Sequence, residues 1–326
     1  IVRPYGLKEL TFLQQVKFHI IIGLAAGILF GSTAFIFDKF IYKRVSFGKT
    51  ILIGAITSII SIMLLVTLGF RALSRIMEID LNWNFYREFV FSKEMILLIF
   101  YIFLMGFLID FFREVDKKFG PGNLWKMLKG EFYHPKEDQR IFMFLDLKSS
   151  TTIAEQLGHE KYSKLIQSCF QDISQVVYSH KADIYQYVGD EIVLSWTIED
   201  GLEDLSCIKF YFDYQKLLFS KKDYYQAKFG IMPEFKAGLE MGQVMVAEVG
   251  DIKREIAYHG DVLNTASRIQ GCCNEFGKTI LISENLERSI DELSKKHLEL
   301  MGDIQLRGKQ KNIKIYAVNE SFSVSA

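Results

Sequence analysis

Phe144-Leu145-Asp146-Leu147-Lys148-Ser149-Ser150-Thr151 is the stretch on which the reading of this chain turns. Arg140 to Leu147 is a short apolar run of strand character, and it stops at a carboxylate followed by hydroxyl residues. A carboxylate at the end of an apolar strand is costly without a partner. The hydroxyl run suits a helix N-terminus, where free N–H groups and the helix dipole attract anions such as phosphate. Two readings of Asp146 therefore stand: a cation ligand beside a phosphate cradle at Ser149, Ser150 and Thr151, or a simple helix cap.

Downstream, apolar residues recur at Leu165, Ile166, Cys169, Phe170, Ile173, Val176 and Val177, one face of a long helix beginning near Tyr162. Asp183 to Val188 and Glu191 to Trp196 are β-rich runs joined by Gly189-Asp190, which reads as a hairpin. A helix is expected near 200–219. Glu234 to Glu240 and Gln243 to Glu248 are expected as a second hairpin. Leu263 to Asn274 is expected as a helix, with strands near 279–282, 298–306 and 312–318. Strands interspersed with helices and hairpins predict an α+β fold with a mixed or antiparallel sheet.

Upstream the character changes. Phe18 to Phe37, Ile51 to Phe70 and Met95 to Phe112 are apolar runs, charged only at Asp110, and each is long enough to span a bilayer core as a helix. Helices are therefore expected at about 18–37, 51–70 and 95–112 in an all-α transmembrane domain, 1–112. A linker follows at 113–138, marked by Phe119-Gly120-Pro121-Gly122 and His134-Pro135, and a second domain occupies 139–326. Lys39, Lys43, Arg44 and Lys49 lie between the first two runs, and Arg113, Lys117, Lys118, Lys126 and Lys129 follow the third. By the positive-inside rule both segments are cytoplasmic. Arg71 to Glu94, with Trp83, Phe85 and Tyr86, reads as an external loop with interfacial aromatics. This topology places residue 1 outside and raises the expectation of a further helix upstream. A multi-pass protein of the inner or plasma membrane with a cytoplasmic second domain is the resulting picture.

Among 326 residues, 39 Lys and Arg balance 39 Asp and Glu, so bulk charge gives no case for a nucleic-acid partner. Cys169, Cys207, Cys272 and Cys273 lack metal-site spacing and read as reduced, structural thiols.

Asp190 adds weight to the cation reading. Two strand ends of one sheet can bring it beside Asp146, and close carboxylates repel unless protonated or bridged by metal; an ordinary Gly-Asp turn is the other reading. Oxygen ligands favour Mg²⁺ or Mn²⁺, with a triphosphate completing the coordination. His259-Gly260-Asp261-Val262-Leu263-Asn264-Thr265-Ala266-Ser267-Arg268 puts Asn264 and Arg268 on one helix face, either as a solvated face or as an amide and a guanidinium for a ribose and a phosphate.

In order, Phe-Leu-Asp-Leu…Ser-Thr, Tyr-Val-Gly-Asp-Glu, Asn-Thr-Ala-Ser-Arg and Arg307-Gly308-Lys309 resemble the class III adenylate/guanylate cyclase catalytic domain, over about 140–318. The resemblance implies a ferredoxin-like core and the conversion of ATP to cyclic AMP and pyrophosphate, with GTP as the alternative substrate and a non-catalytic nucleotide-binding membrane receptor as the alternative role. It implies that Asp146, Asp190 and the Leu147 carbonyl hold two metal ions, Mg²⁺ or Mn²⁺, per site. It implies that Asn264 and Arg268 stabilise the transition state and that Lys309 contacts the triphosphate. The two halves of such a site come from two chains, so a homodimer is expected. The purine-reading positions fall on Gln186 and Ala257, which match neither the Lys–Asp pair of well-known adenylate cyclases nor the Glu–Cys pair of animal guanylate cyclases. A Gln amide can donate or accept, and Ala257 offers no side-chain hydrogen bond.

Overall fold

In a computed structural model, Lys136–Leu147 forms strand β1, the centre from which the second unit is built. The structure describes residues 11–36, 47–77, 83–120, 122–305, 312–319 and 322. It divides into two compact units, Ile1–Pro121 and Gly122–Ala326.

In the first unit the apolar runs are helices α1 (Phe12–Ile36), α2 (Phe47–Met77) and α4 (Lys93–Phe119), each long and apolar enough to cross a membrane. Their outward side chains are apolar: Leu24 is 64% exposed, Ile60 62% and Leu97 67%. A surface of that kind is stable only if something apolar covers it. The helices overrun the apolar cores read from sequence, because polar residues at their ends keep helical geometry beyond a bilayer's thickness. Arg71 to Met77, expected in a loop, belongs to α2. Trp83–Val90 is a short helix, α3, held to α2 where the Thr67 and Tyr86 hydroxyls meet at 2.8 Å and the Tyr86 ring stands edge-on to Phe70 at 5.0 Å. Ser92 caps α4 by accepting the Met95 N–H. Lys39, Lys43 and Arg44, used for orientation, lie outside the described residues.

The segment read as a linker, 113–138, holds the end of α4, a short helix α5 (Asn123–Leu128) and the first residues of β1. After β1 come α6 (Ser150–Ser179), β2 (Asp183–Val188), β3 (Glu191–Thr197), α7 (Ile198–Leu202), α8 (Ser206–Ser220), α9 (Lys222–Phe229) and β4 (Phe235–Val249). The strands lie in the order β2-β3-β1-β4, all antiparallel. A β-α-β-β-α-β chain in that order is the ferredoxin-like arrangement. It continues through β5 (Glu255–His259), α10 (Asp261–Gly271), α11 (Cys273–Phe276), β6 (Ile280–Ser283), α12 (Glu284–Glu287), β7 (Leu298–Ile304) and β8 (Ile313–Val318). β6 pairs in parallel with β4, so the sheet is mixed.

β1 alternates as a strand buried on both faces must. Ile141, Met143, Leu145 and Leu147 enter the main core with Leu165, Cys169 and Ile173 of α6 and Phe210 and Tyr214 of α8. Phe142 faces the other way, toward Val262 and Ala266 of α10. All four cysteines are buried and unbridged.

The expected hairpin between Glu240 and Gln243 does not exist: 235–249 is one strand, and Gly242 pairs with Arg140 in an unbroken ladder. Gly242 is there because a Cβ would meet Val262 Cγ2 at 2.8 Å. The true partner is β5, paired through Met245↔His259 to Val249↔Glu255.

Where β3 passes into α7, the Thr197 hydroxyl accepts the Asp200 N–H at 3.1 Å. Thr197→Ala removes that cap and should cost about 1 kcal/mol, read as a melting temperature lower by roughly 2–4 °C.

Candidate active site

Asp146 lies on the α10 face of β1, one residue from its end. Its cross-strand partners are Glu191 on β3 and Lys236 on β4, and directly paired residues share a face. Lys236 Nζ stands 3.4 Å from Asp146 Oδ2, and Gln270 Nε2 of α10 donates to the same oxygen at 3.1 Å. α10 comes this close because Gly238, two residues along β4, has no side chain: a Cβ there would lie 2.2 Å from the Gln270 backbone nitrogen.

The β2–β3 turn brings Asp190 alongside, with Gly189 at φ 64° supplying the left-handed residue that the tight turn needs. Asp190 Oδ2 is buried and has no hydrogen-bond partner among the described residues. Burial, and then the Asp190 charge, raise the Asp146 carboxyl above its ordinary range, against the opposing pull of Lys236 and Gln270. Burial, then the charges of Asp146 and Asp190, push Glu191 up to about 7. Burial, followed by the Asp190 charge, takes the Tyr162 phenol to about 12. One lysine thus faces three carboxylates, and a buried carboxylate oxygen has nothing to bind. That is the electrostatics of a cation site. Among the described residues no group of three His, Cys, Asp or Glu side chains could hold a metal unaided. Two carboxylates and a carbonyl fit an ion such as Mg²⁺, which takes much of its oxygen shell from water and phosphate.

Leu147 ends β1, its side chain buried and its backbone paired with Phe235. Ser149 has φ 57°, and α6 starts at Ser150, within the hydroxyl run that the sequence marks as a helix N-terminus. No side-chain cap bond comes from Ser149, so its hydroxyl does not occupy the N–H groups of the first turn. Non-helical Gly158, at φ 70°, divides that first stretch from the long apolar-faced helix.

α10 turns two faces in different directions. Val262, Thr265, Ala266, Ile269 and Gln270 are buried, whereas Asn264 is exposed and Arg268 half-buried. At about 100° per residue, Arg268 points roughly 200° away from Gln270 around the helix. Among the described residues, no hydrogen bond or ion pair joins Asn264 or Arg268 to Asp146 or Asp190. One chain therefore assembles the carboxylates and, separately, the Asn–Arg face.

Gln186 is exposed on β2 beside a bulge, and Ala257 is half-buried on β5, opposite Ala247. Their neighbours touch: the Tyr258 N–H donates to the Tyr185 hydroxyl at 3.4 Å. Both rings pack on Phe142. Lys309 lies outside the described residues.

Sequence reasoning missed Lys236, Gln270, Glu191 and Tyr162. Glu191 follows Asp190 directly and was within reach. Lys236 and Gln270 become visible only from strand register and helix packing.

Comparison with known proteins follows the same lines. The adenylate and guanylate cyclase catalytic domain matches residues 132–320. Over 210 residues the chain is 28% identical to Adenylate cyclase 2 of Rhizobium meliloti (strain 1021), covering 64% of this chain and 58% of that protein. Over 181 residues it is 25% identical to the adenylate cyclase of Anabaena cylindrica, covering 54% of this chain and 36% of that protein. The chain thus spans less than two thirds of either relative's length. A bacterial light-regulated adenylyl cyclase superposes with a TM-score of 0.58 at 19% identity, over 70% of this chain and 66% of that one, a likeness of fold.

Proposed function

The chain belongs to the family of adenylate and guanylate cyclase catalytic domains, and from that premise we propose that it converts ATP to cyclic AMP and pyrophosphate at a site shared by two copies. The observation that carries this reading is the buried, unpartnered Asp190 Oδ2 beside Asp146, in a chain whose Asn264 and Arg268 face away from both. Each chain would supply the carboxylates of one site and the Asn–Arg face of the other.

In this reading Asp146, Asp190 and the Leu147 carbonyl would hold two divalent ions, Mg²⁺ or Mn²⁺. When bound, such ions lower the pKa of the ribose 3′-hydroxyl and neutralise charge on the triphosphate. The 3′-hydroxyl gives up its proton to solvent, its oxygen attacks the α-phosphorus, the bond from that phosphorus to the bridging oxygen breaks, and pyrophosphate leaves. The first turn of α6, at Ser149 to Thr151, points backbone N–H groups at the phosphates. The partner copy's Arg268 meets the charge growing on the α-phosphate, and its Asn264 orients the ribose. By the family resemblance Lys309 would contact the triphosphate. Gln186 and Ala257 border the purine.

The three apolar helices anchor the enzyme in a membrane, and the second unit lies in the cytoplasm.

The test is direct. Purified full chain with Mn²⁺ and ATP is expected to release 3′,5′-cyclic AMP and equimolar pyrophosphate. Turnover of GTP alone would move the assignment to guanylate cyclase. Nucleotide binding with no product from either would favour the receptor role.

A further inference from the structure

Tyr185 and Tyr258 each adjoin one of the two positions assigned to the purine, and the ladder of β5 fixes what they offer. The Glu248 N–H donates to the Phe132 carbonyl at 2.8 Å, on the side of β4 away from β5. Backbone groups alternate between the two edges of an antiparallel strand. In the register Glu248↔Ile256, Ala247↔Ala257, Val246↔Tyr258, the middle pair therefore exchanges its bonds, and Tyr258 turns its N–H and C=O to the free edge of β5. That N–H is the one taken by the Tyr185 hydroxyl.

The arrangement is closely packed. The Tyr185 and Tyr258 rings meet edge-on at 5.1 Å, and Phe142 stands edge-on to both, at 6.2 and 5.3 Å. Arg140 lies over the Tyr258 ring at 5.2 Å, itself fixed by Asp138, Asp183 and the Ser195 hydroxyl. With the N–H occupied and Ala257 without a polar side chain, the free edge of β5 presents the Tyr258 carbonyl, an acceptor. A 6-amino purine can donate to it, whereas a 6-oxo purine brings a second acceptor against it.

We propose that Tyr185 is a specificity-determining positioning residue: by holding the Tyr258 N–H it withdraws the backbone donor from the edge that faces the base, and so biases the site against 6-oxo purine nucleotides. This rests on the cyclase reading and on Gln186 and Ala257 bordering the base.

The experiment compares ATP with ITP, which carries an oxygen in place of the 6-amino group, using full-length protein in detergent with Mn²⁺. Wild type is expected to favour ATP. Tyr185→Phe keeps the ring packing and frees the N–H. It should narrow the ATP:ITP ratio of kcat/KM about fivefold, the worth of one hydrogen bond, through a lower KM for ITP. Tyr185→Leu, also without an acceptor, should shift the ratio the same way, and a thermal melt of each variant reports its folding. An unchanged ratio in folded variants overturns the proposal. So does a widened ratio, which would mean that the hydroxyl itself donates to the base. Wild-type protein that yields no cyclic product from either nucleotide fails differently, by overturning the cyclase reading.

Discussion

Asp190→Ala and Arg268→Ala chains, each inactive alone, are expected to recover about a quarter of the wild-type rate when mixed in equal amounts and allowed to exchange subunits. The expectation follows from the two faces of α10. Gln270 is bonded to Asp146 of its own chain, while Arg268 points about 200° away around the helix. In a mixed dimer the Arg268→Ala chain contributes intact carboxylates to one site and the Asp190→Ala chain contributes an intact arginine to it. The second site carries both lesions. Half of the randomly formed dimers are mixed and each has one working site of two, which gives the quarter. Asp190→Ala alone should lose essentially all turnover, since it removes the buried oxygen left free for a cation. Arg268→Ala alone should lower kcat about 10²–10³-fold with little change in KM, the usual cost of a missing donor to transition-state charge. A mixture of Asp146→Ala with Asp190→Ala is the control. Both lesions sit on the same half, so no dimer of the two has a complete site and no activity returns. Pyrophosphate release reads all the combinations, and an arginine–aspartate mixture as dead as the control would rule out the shared site.

Much of this was legible in the sequence because the relevant signals are local. Gly189-Asp190 between two β-rich runs reads as a hairpin, and the structure has it there. The α6 apolar face and the strands at the C-terminal end follow from periodicities spanning a few residues. Legibility failed where a residue's reason for being there lies elsewhere in the fold. Gly242 reads as a turn, yet it is the place where Val262 presses on β4. Polar Lys136 to Asp138 reads as linker, because strand character there comes from pairing with Val244 to Val246. β5 was missed since its alternation is short, and it is a strand because β4 supplies an edge for it. Lys236 and Gln270 show the same limit at the site. Neither belongs to a motif, and both reach Asp146 only through register and the seating of a helix.

That seating makes Gly238 a sensitive backbone position in the catalytic unit. An alanine Cβ at 238 would lie 2.2 Å from the Gln270 nitrogen, 2.5 Å from the Ala266 carbonyl oxygen and 2.6 Å from the Gln270 Cα. All three are helix backbone, so no side chain can rotate away. Either α10 lifts or β4 bends, and β4 is pinned at this level by β1 on one side and β6 on the other. Lifting α10 opens the packing of Val262 and Ala266 against Phe142 and breaks the Gln270–Asp146 bond. Gly238→Ala should therefore cost about 3 kcal/mol or more, at the upper end for overpacking. Thermal melting of the full chain would show this as a drop of roughly 10 °C. Gly242→Ala is the matched comparison, because its clash is with Val262 Cγ2, the end of a side chain that can shift. It should cost about 1 kcal/mol. The two also separate in function. Whatever fraction of Gly238→Ala folds should still turn over slowly, since lifting α10 breaks the Gln270–Asp146 bond of one site and shifts the Asn264–Arg268 face offered to the other. Equal melting temperatures for the two variants would mean that α10 does not rest on Gly238, and the packing that places both halves of the site would have to be redrawn.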